Sequence, residues 1–215
     1  MVRPIFICIL ILLFLSANTL SSCSQSKETD YRLVGGPCEG CEAVLEYSEQ
    51  ELTPVDTLPG FNKEGQKIKI SGTVYERDGK TPAEGVILYL YHTNQEGIYE
   101  AGDNAKGWAE KHGYIREWLK TDEDGQYTFY TLKPAAYPSR SEPAHIHIIV
   151  LEPDGQYYWI SGYHFAGDSL LTEKETNPKN PRGGTSGLID LQKEGALWVG
   201  QRDIVLGKNI QGYQQ

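Results

Sequence analysis

The sequence predicts an all-β protein, an antiparallel β-sandwich with long loop insertions. Three observations support this fold class. Short runs rich in β-branched and aromatic residues recur along the chain, turns that contain glycine or proline separate them, and few helical periodicities exceed two turns. This pattern is typical of antiparallel sandwiches and barrels.

The predicted strands follow one another from residue 66 onward. Their sequences are K-I-K-I-S-G-T-V-Y, E-G-V-I-L-Y-L-Y-H, Q-Y-T-F-Y-T-L, A-H-I-H-I-I-V-L, Q-Y-Y-W-I-S-G-Y and R-D-I-V-L-G. The turn cluster E-R-D-G-K-T-P between the first two fits either a hairpin or a connection between sheets. The Asp124-Gly125 turn is interpreted as a hairpin turn, because the acidic ladder of a calcium-binding loop is absent. Residues 105–119 and 177–187 are interpreted as irregular insertions, where sites are often built.

The N-terminal segment is typical of an exported chain. Residues 1–22 contain one cation, an apolar run that is short for a membrane span, and small polar residues, which is the layout of a signal peptide. The run L-S-S-C that ends at Cys23 resembles the lipobox of bacterial lipoproteins, which implies that Cys23 is lipidated. We therefore expect a lipid-anchored protein of the bacterial cell envelope, facing the periplasm or the exterior. The alternative is an ordinary signal peptide with an incidental cysteine.

Four segments follow from these patterns. They are a lipoprotein signal peptide (1–22), a tether and N-terminal lead-in (23–64), a β-sandwich domain (65–207) and a C-terminal tail (208–215). Removal of the signal peptide would move the formal charge from −9 to −10, because it deletes Arg3 and no acid. A chain this acidic, with no basic cluster, is not expected to bind nucleic acid. The sequence does not indicate an oligomeric state.

Cys38 and Cys41 form a C-x-x-C pair within the lead-in. Outside the cytoplasm such a pair is most simply a local disulfide. A zinc knuckle would need a second pair, and a thioredoxin-like role would need a β-α-β setting. A structural disulfide is therefore the favoured interpretation, with redox and metal-binding roles as alternatives.

Two histidines occupy alternate positions of one predicted strand. His145 and His147 project to the same face, and Ile146 between them faces the other way. Buried imidazoles need partners for their nitrogens, so either a shared metal ion or structural hydrogen bonds would explain the pair. A cupin-type site with Glu152 is an alternative, but the glycine and the later histidine of that pattern are missing.

Several motifs follow one another in a fixed order through the middle of the chain. They are Y-H with G-I-Y over 91–99, T-D-E-D-G-Q-Y-T-F-Y-T-L-K-P-A-A-Y-P over 121–138, P-A-H-I-H over 143–147 and F-A-G-D over 165–168. In order and spacing they resemble the intradiol ring-cleavage dioxygenases, the family of the catechol and protocatechuate dioxygenases. The similarity covers residues 67–168, and ordered motifs are far more specific than any one of them.

The resemblance implies a non-haem Fe(III) site with Tyr99, Tyr137, His145 and His147 as ligands. Two phenolates would neutralise much of the charge of a trivalent ion, and each phenol must lose its proton to ligate. The resemblance also implies that the substrates are a small catechol-type aromatic diol and O2 and that the product is a muconate-type diacid. In this family pattern Tyr137 is the catalytic ligand that the diol displaces and a proton acceptor, while Tyr99 stays bound.

Two positions depart from the family's pattern. Glu142 stands where the family has an arginine three residues before the first histidine, and Gly162 stands where a polar amide is common. Groups around a metal site tune it nearly as strongly as its ligands do, so the resemblance supports the iron site better than it supports any particular substrate. We hypothesise that Arg116, Arg140 or His164 supplies part of the missing polarity.

A second function also fits the sequence. The chain could be a non-catalytic surface lipoprotein whose β-sandwich binds an aromatic, peptide or glycan ligand, because it has 14 tyrosines and four tryptophans. In that case Tyr99 and Tyr137 would be ordinary aromatic residues beside turns. Tyr157 to Trp159 are more typical of a packed strand than of a ligand platform.

Overall fold

The computed structural model describes residues 29–47 and 51–214, and in these the chain forms two β-sheets. The strands are β1 Arg32–Leu33, β2 Val55–Thr57, β3 Lys67–Tyr75, β4 Ile87–His92, β5 Arg116–Lys120, β6 Gln126–Leu132, β7 His145–Leu151, β8 Gln156–Trp159, β9 Tyr163–Phe165, β10 Leu188–Ile189, β11 Gln192–Glu194, β12 Leu197–Gln201 and β13 Ile204–Val205. A 3-10 helix spans Cys41–Tyr47, and the helices are α1 Ala109–His112 and α2 Glu173–Thr176.

The expected signal peptide and Cys23 lie outside the described residues. Within the described ranges, none of the helices has the length and apolar character needed to cross a membrane.

The two sheets confirm the predicted β-sandwich. The first sheet has seven strands in the order β1-β8-β7-β4-β5, with β9 beside β7 and β10 beside β9. The second has six strands in the order β11-β12-β3-β6-β2, with β13 beside β3. The long central pairs are antiparallel, whereas shorter strands such as β1, β2 and β13 join in parallel, so both sheets are mixed.

The main hydrophobic core lies between the sheets. Ile68 and Ile70 of β3, Phe129 of β6, and Leu88 and Leu90 of β4 are fully buried there. These residues occupy alternate positions of their strands, so each strand turns one face toward the other sheet. Burial of each such side chain contributes about 1.5 to 3 kcal/mol to folding.

A second hydrophobic cluster covers the outer face of the first sheet. Tyr89 and Tyr91 of β4 and Trp118 of β5 pack there against Cys41 and Val44 of the 3-10 helix. The Trp118 indole N–H donates a hydrogen bond of 3.1 Å to the Val44 carbonyl. The N-terminal segment therefore forms a third layer over one end of the sheet.

The structure places two of the predicted turns between sheets. E-R-D-G-K-T-P joins β3 of the second sheet to β4 of the first, which selects the inter-sheet alternative. The Asp124-Gly125 turn likewise joins β5 to β6 in different sheets, so its prediction as a hairpin turn is wrong. Gly125 has φ +67°, and a Cβ there would lie 2.5 Å from the Val74 carbonyl oxygen. The glycine is thus required by a close approach to β3.

The prediction for residues 105–119 is partly wrong. Its last residues belong to β5, which pairs with β4 over five residues. Trp118 is buried in the outer cluster and Leu119 in the main core, so this strand is covered on both faces. A strand buried on both sides lacks the alternation of polar and apolar residues that identifies strands in a sequence. Residues 177–187 are irregular, as predicted.

Candidate metal centre

The first residues of β7 carry both histidines. Asp168 fastens this strand end, because its carboxylate accepts a hydrogen bond of 2.9 Å from the Ala144 N–H. His145 Nδ1 lies 2.8 Å from the Pro143 carbonyl oxygen, which can only accept, so Nδ1 carries the proton. The lone pair of His145 is therefore on Nε2, which lies 2.9 Å from His147 Nε2.

Tyr99 and Tyr137 follow strands of different sheets, and backbone contacts between the two segments bring them together. The Thr93 hydroxyl donates a hydrogen bond of 2.7 Å to the Ala135 carbonyl. Gly97 has φ +78°, and a Cβ at this position would lie 2.1 Å from the Ala136 carbonyl oxygen. The glycine of the G-I-Y motif thus allows the turn before Tyr99 to touch the segment before Tyr137.

The four predicted ligands form a closed ring of polar atoms. Tyr99 Oη lies 2.9 Å from Tyr137 Oη and 2.8 Å from His147 Nε2. His145 Nε2 lies 3.3 Å from Tyr137 Oη and 2.9 Å from His147 Nε2. Two phenol protons and one imidazole proton can serve at most three of these contacts, because His145 Nε2 has none. At least one contact between ring atoms is therefore left without a proton.

Burial disfavours the charged forms of His147, Tyr99 and Tyr137. Burial lowers the pKa of His147 well below its usual range, and the neighbouring histidines lower it further. Burial also raises the pKa of Tyr99 and of Tyr137, and the negative charge of Glu142 raises both further. The neutral imidazole of His147 is ready to bind a metal, whereas the two phenols need a cation to become phenolates.

A cation fits this ring. Donor atoms that share an ion at about 2.0 to 2.2 Å lie about 3 Å from one another, which is close to the separations in the ring. The described part of the chain contains no group of three or more His, Cys, Asp or Glu residues placed to hold a metal. The two phenols are thus necessary members of any such site, and this oxygen- and nitrogen-rich set suits a hard trivalent ion such as Fe(III).

A stack of aromatic rings supports His147. The Tyr91 ring lies parallel to the His147 ring, with centroids 4.4 Å apart. His112 stacks on the other face of the Tyr91 ring, with centroids 3.8 Å apart. His112 Nδ1 also forms a hydrogen bond of 2.9 Å with the Tyr89 hydroxyl. Sequence reasoning placed Tyr91 in a motif but missed its role, and it missed His112. The pairing of β4 with β7 sets Tyr91 opposite His147, and the sequence pattern does not specify this register.

A cleft with two lobes opens at the ring. The larger lobe, of about 480 Å³, lies over the histidines, and the smaller, of about 220 Å³, lies over the tyrosines. Glu39, Tyr91 and His147 line both lobes. Glu39 belongs to the turn that the Cys38–Cys41 disulfide closes, so the disulfide positions part of the cleft wall.

Both departures from the family's pattern face the larger lobe. Glu142 and Gly162 line it. At Gly162 a Cβ would lie 2.9 Å from the Ile146 carbonyl oxygen, and a Cβ at Gly187 would lie 1.9 Å from the Gly162 carbonyl oxygen. The backbone is thus packed too closely at Gly162 for a larger residue.

The structure separates the three residues considered as sources of polarity. His164 lines the larger lobe, its Nδ1 has no hydrogen-bond partner among the described residues, and burial lowers its pKa to about 4. Arg116 instead forms an ion pair of 2.7 Å with Glu46, and Arg140 is exposed and lines neither lobe.

Glu152 is not near the ring. It lies at the opposite end of β7, where its carboxylate accepts hydrogen bonds from the Tyr158 and Tyr213 hydroxyls. The cupin alternative is therefore wrong, because its three ligands do not converge.

Comparisons with known proteins give a consistent result. A family model described as dioxygenase matches residues 42–180, more than half of the chain. The chain is 26% identical over 180 residues to the protocatechuate 3,4-dioxygenase beta chain of Burkholderia cepacia, covering 74% of this chain and 75% of that protein. It is 29% identical over 126 residues to catechol 1,2-dioxygenase of Acinetobacter baylyi, covering 51% of this chain and only 39% of that protein.

Solved structures share the fold. The dioxygenase domain of a dioxygenase carbohydrate-binding protein fusion from Streptomyces sp. SirexAA-E superposes with a TM-score of 0.55 at 21% identity, over 83% of this chain and 97% of that chain. An intradiol ring-cleavage dioxygenase from Tetranychus urticae superposes with a TM-score of 0.54 at 18% identity, over 85% of this chain and 94% of that chain. Similarity at this level of identity establishes the sandwich architecture.

Proposed function

Because the chain belongs to the intradiol ring-cleavage dioxygenase family, we propose that it is an Fe(III)-dependent enzyme that cleaves a catechol-type diol with O2. The observation that carries this proposal is the closed ring of Tyr99, Tyr137, His145 and His147 at the head of a two-lobed cleft. The ring offers two oxygen and two nitrogen donors to one ion, and the cleft gives a diol room beside them.

The proposed reaction breaks the bond between the two hydroxylated ring carbons. Both atoms of O2 enter the product, so a diol and one O2 account for every atom of the muconate-type diacid. When bound, Fe(III) supplies the Lewis-acid and redox chemistry for this reaction.

The residues of the chain bind the diol and hold its protons. Tyr137 precedes the exposed segment 138–142, and the family resemblance implies that it is the ligand that the diol displaces. In the proposal Tyr137 leaves the ring when the diol binds, and its Oη accepts a proton from a diol hydroxyl. His145 and His147 stay in place, because a backbone carbonyl orients the first and an aromatic stack orients the second.

The visible spectrum of the protein after Fe(III) loading tests the metal site. Tyrosinate bound to Fe(III) gives a broad charge-transfer colour. We expect Tyr137→Phe to shift this band and His147→Ala to abolish it. Tyr75→Phe, which changes a tyrosine outside the ring, should leave it intact. A colourless protein that retains no iron after loading would contradict the proposal.

Oxygen uptake tests the reaction. With a panel of substituted catechols, the iron-loaded protein should consume one O2 per diol and form an acidic ring-opened product. If the protein is coloured but consumes no O2 with any diol, it is a metal-binding protein without this activity.

We also propose that the mature chain is held at the bacterial cell envelope by a lipid on Cys23. The support is the L-S-S-C run after a short apolar segment. Expression in a bacterial host with labelled palmitate should label the protein, and Cys23→Ser should remove both label and membrane association. Unchanged membrane association of that variant would contradict the anchor.

A further inference from the structure

Two carboxylates stand on different walls of the cleft. Glu39 lines both lobes from the disulfide-closed turn, and Glu142 lines the larger lobe from the loop that leads into β7. Two separate segments of the chain therefore bring carboxylates to the cleft where a diol would bind.

Glu142 carries a charge that no neighbour offsets. It is exposed, and it has no hydrogen bond or ion pair with any residue in the described part of the chain. It nevertheless lines the same lobe as His145 and His147 of the ring. A substituent of a diol bound at the ring would therefore lie within the field of this carboxylate.

The lysines of the cleft are already matched by carboxylates. Lys111 lies 3.4 Å from Glu39 at the smaller lobe, and both side chains are largely exposed. Lys174 on the far wall of the larger lobe lies 4.0 Å from Glu175. Glu142 is therefore the carboxylate of the larger lobe that lacks a cation beside it.

Arg182 is held in place by groups other than a substrate. The Arg182 guanidinium lies 3.6 Å from the centroid of the Trp159 ring and donates hydrogen bonds to the carbonyls of Trp159 and Gly35. It does not line the lobe, so it is not placed to bind a carboxylate of a substrate.

We infer that the cleft takes catechol-type diols that carry a cationic substituent, such as an aminoalkyl group, in preference to diols that carry a carboxylate. The inference rests on the proposed function, because the diol is placed at the ring. The larger lobe, of about 480 Å³, has room for an aromatic ring with a short side chain. Glu142 attracts an ammonium group there and repels a carboxylate, and partial removal of water strengthens both effects.

Binding of two monophenols tests the inference without turnover. The probes are 4-(2-aminoethyl)phenol and 3-(4-hydroxyphenyl)propanoate, which have similar size and opposite charge. Titration calorimetry of the full chain, with and without Fe(III), should show at least about tenfold tighter binding of the amine at low salt. The preference should shrink as the ionic strength rises.

Two variants identify the responsible charge. Glu142→Gln keeps the size of the side chain and should reduce the preference to about threefold or less. Glu84→Gln removes an exposed carboxylate outside the cleft and should leave the preference unchanged. Equal affinities in the unchanged protein, or tighter binding of the carboxylate that Lys174→Gln abolishes, would overturn the inference.

Turnover separates this inference from the proposed function. The three diols are catechol, 4-(2-aminoethyl)catechol and 3-(3,4-dihydroxyphenyl)propanoate. Cleavage of all three with similar kcat/KM contradicts the charge preference and leaves the dioxygenase proposal standing. A preference in binding without cleavage of any diol contradicts the dioxygenase proposal and leaves the charge preference standing.

Discussion

Tyr91 contributes no atom to the ring of predicted ligands, but its side chain contacts one of those ligands, His147. Its ring lies between His147 and His112, parallel to both. We expect Tyr91→Leu to weaken Fe(III) binding by about tenfold or more, because His147 then loses the surface that fixes its orientation. Competition against a chelator, followed by the charge-transfer band, measures this affinity.

The matched control for this prediction is Tyr91→Phe. The Tyr91 hydroxyl has no hydrogen bond to the described residues, so the phenyl ring alone should preserve the stack and the affinity. Equal iron affinities for the leucine and phenylalanine variants would show that the stack does not position His147.

The buried carboxyl of Glu152 should make the free energy of unfolding depend on pH, independently of the metal site. Burial raises the pKa of this carboxyl to about 7. The folded state therefore binds a proton that the unfolded state releases between about pH 4.5 and pH 7. The stabilising contribution is present below this window and is lost as the pH rises through it, about 3 kcal/mol in total.

Glu152→Gln should remove this pH dependence, because glutamine does not titrate. Urea denaturation at several pH values between 4.5 and 7.5 measures it as a flatter curve of unfolding free energy against pH. Glu123→Gln, at an exposed position, should follow the unchanged protein. If Glu152→Gln kept the original slope of unfolding free energy against pH, another titrating group would be responsible for that slope.

Single residues were predictable where a motif named them. Tyr99, Tyr137, His145 and His147 all belong to the motifs of the family, and the structure brings them together in one ring. Glu39 was not predictable, because its place in the cleft results from the packing of the N-terminal segment on a distant strand. Short-range patterns carry no information on such contacts.

At the scale of elements, the turn that carries Gly97 connects the two sheets at the site. Gly97→Ala would place a Cβ 2.1 Å from the Ala136 carbonyl oxygen at φ +78°. The turn must then move away from the segment that holds Tyr137. We expect a loss of about 1 to 3 kcal/mol in unfolding free energy and a weaker charge-transfer band after iron loading.

Gly195→Ala separates backbone strain from the loss of this contact. Gly195 also has a positive φ, +60°, but a Cβ there meets no atom within 4 Å. Its replacement should cost only about 1 kcal/mol and leave the iron spectrum unchanged. If the two variants had the same spectrum, the turn at Gly97 would not hold the ring together.

Strands were predictable from alternation, whereas their assignment to sheets was not. The runs at Lys67–Tyr75 and Gln126–Leu132 alternate clearly and form β3 and β6. An Asp-Gly pair indicates a tight turn, but it does not determine whether the next strand stays in the same sheet. The packing of both sheets around one core decides that, which explains the error at Asp124-Gly125.

At the scale of the whole molecule, the two ends of β7 have different surroundings. Its first residues belong to the ring, and its last residues lie beside the C-terminal segment of the chain. The strand rises about 3.3 Å per residue, so its two ends lie about 20 Å apart. At the end away from the ring, the last residues of the chain pack on the sandwich. Ile210 is buried in the main core, and the Tyr213 hydroxyl donates a hydrogen bond of 2.8 Å to the Glu152 carboxylate.

Deletion of residues 208–215 should therefore destabilise the fold without changing the site. The loss of Ile210 from the core and of the hydrogen bonds of Tyr213 and Gln214 should lower the unfolding free energy by about 3 to 5 kcal/mol. Urea denaturation measures the loss, and Ile210→Val should cost only about 1 kcal/mol. The folded variant should keep its Fe(III) spectrum, because the ring lies at the other end of β7. A changed spectrum with full stability would contradict this division of the molecule.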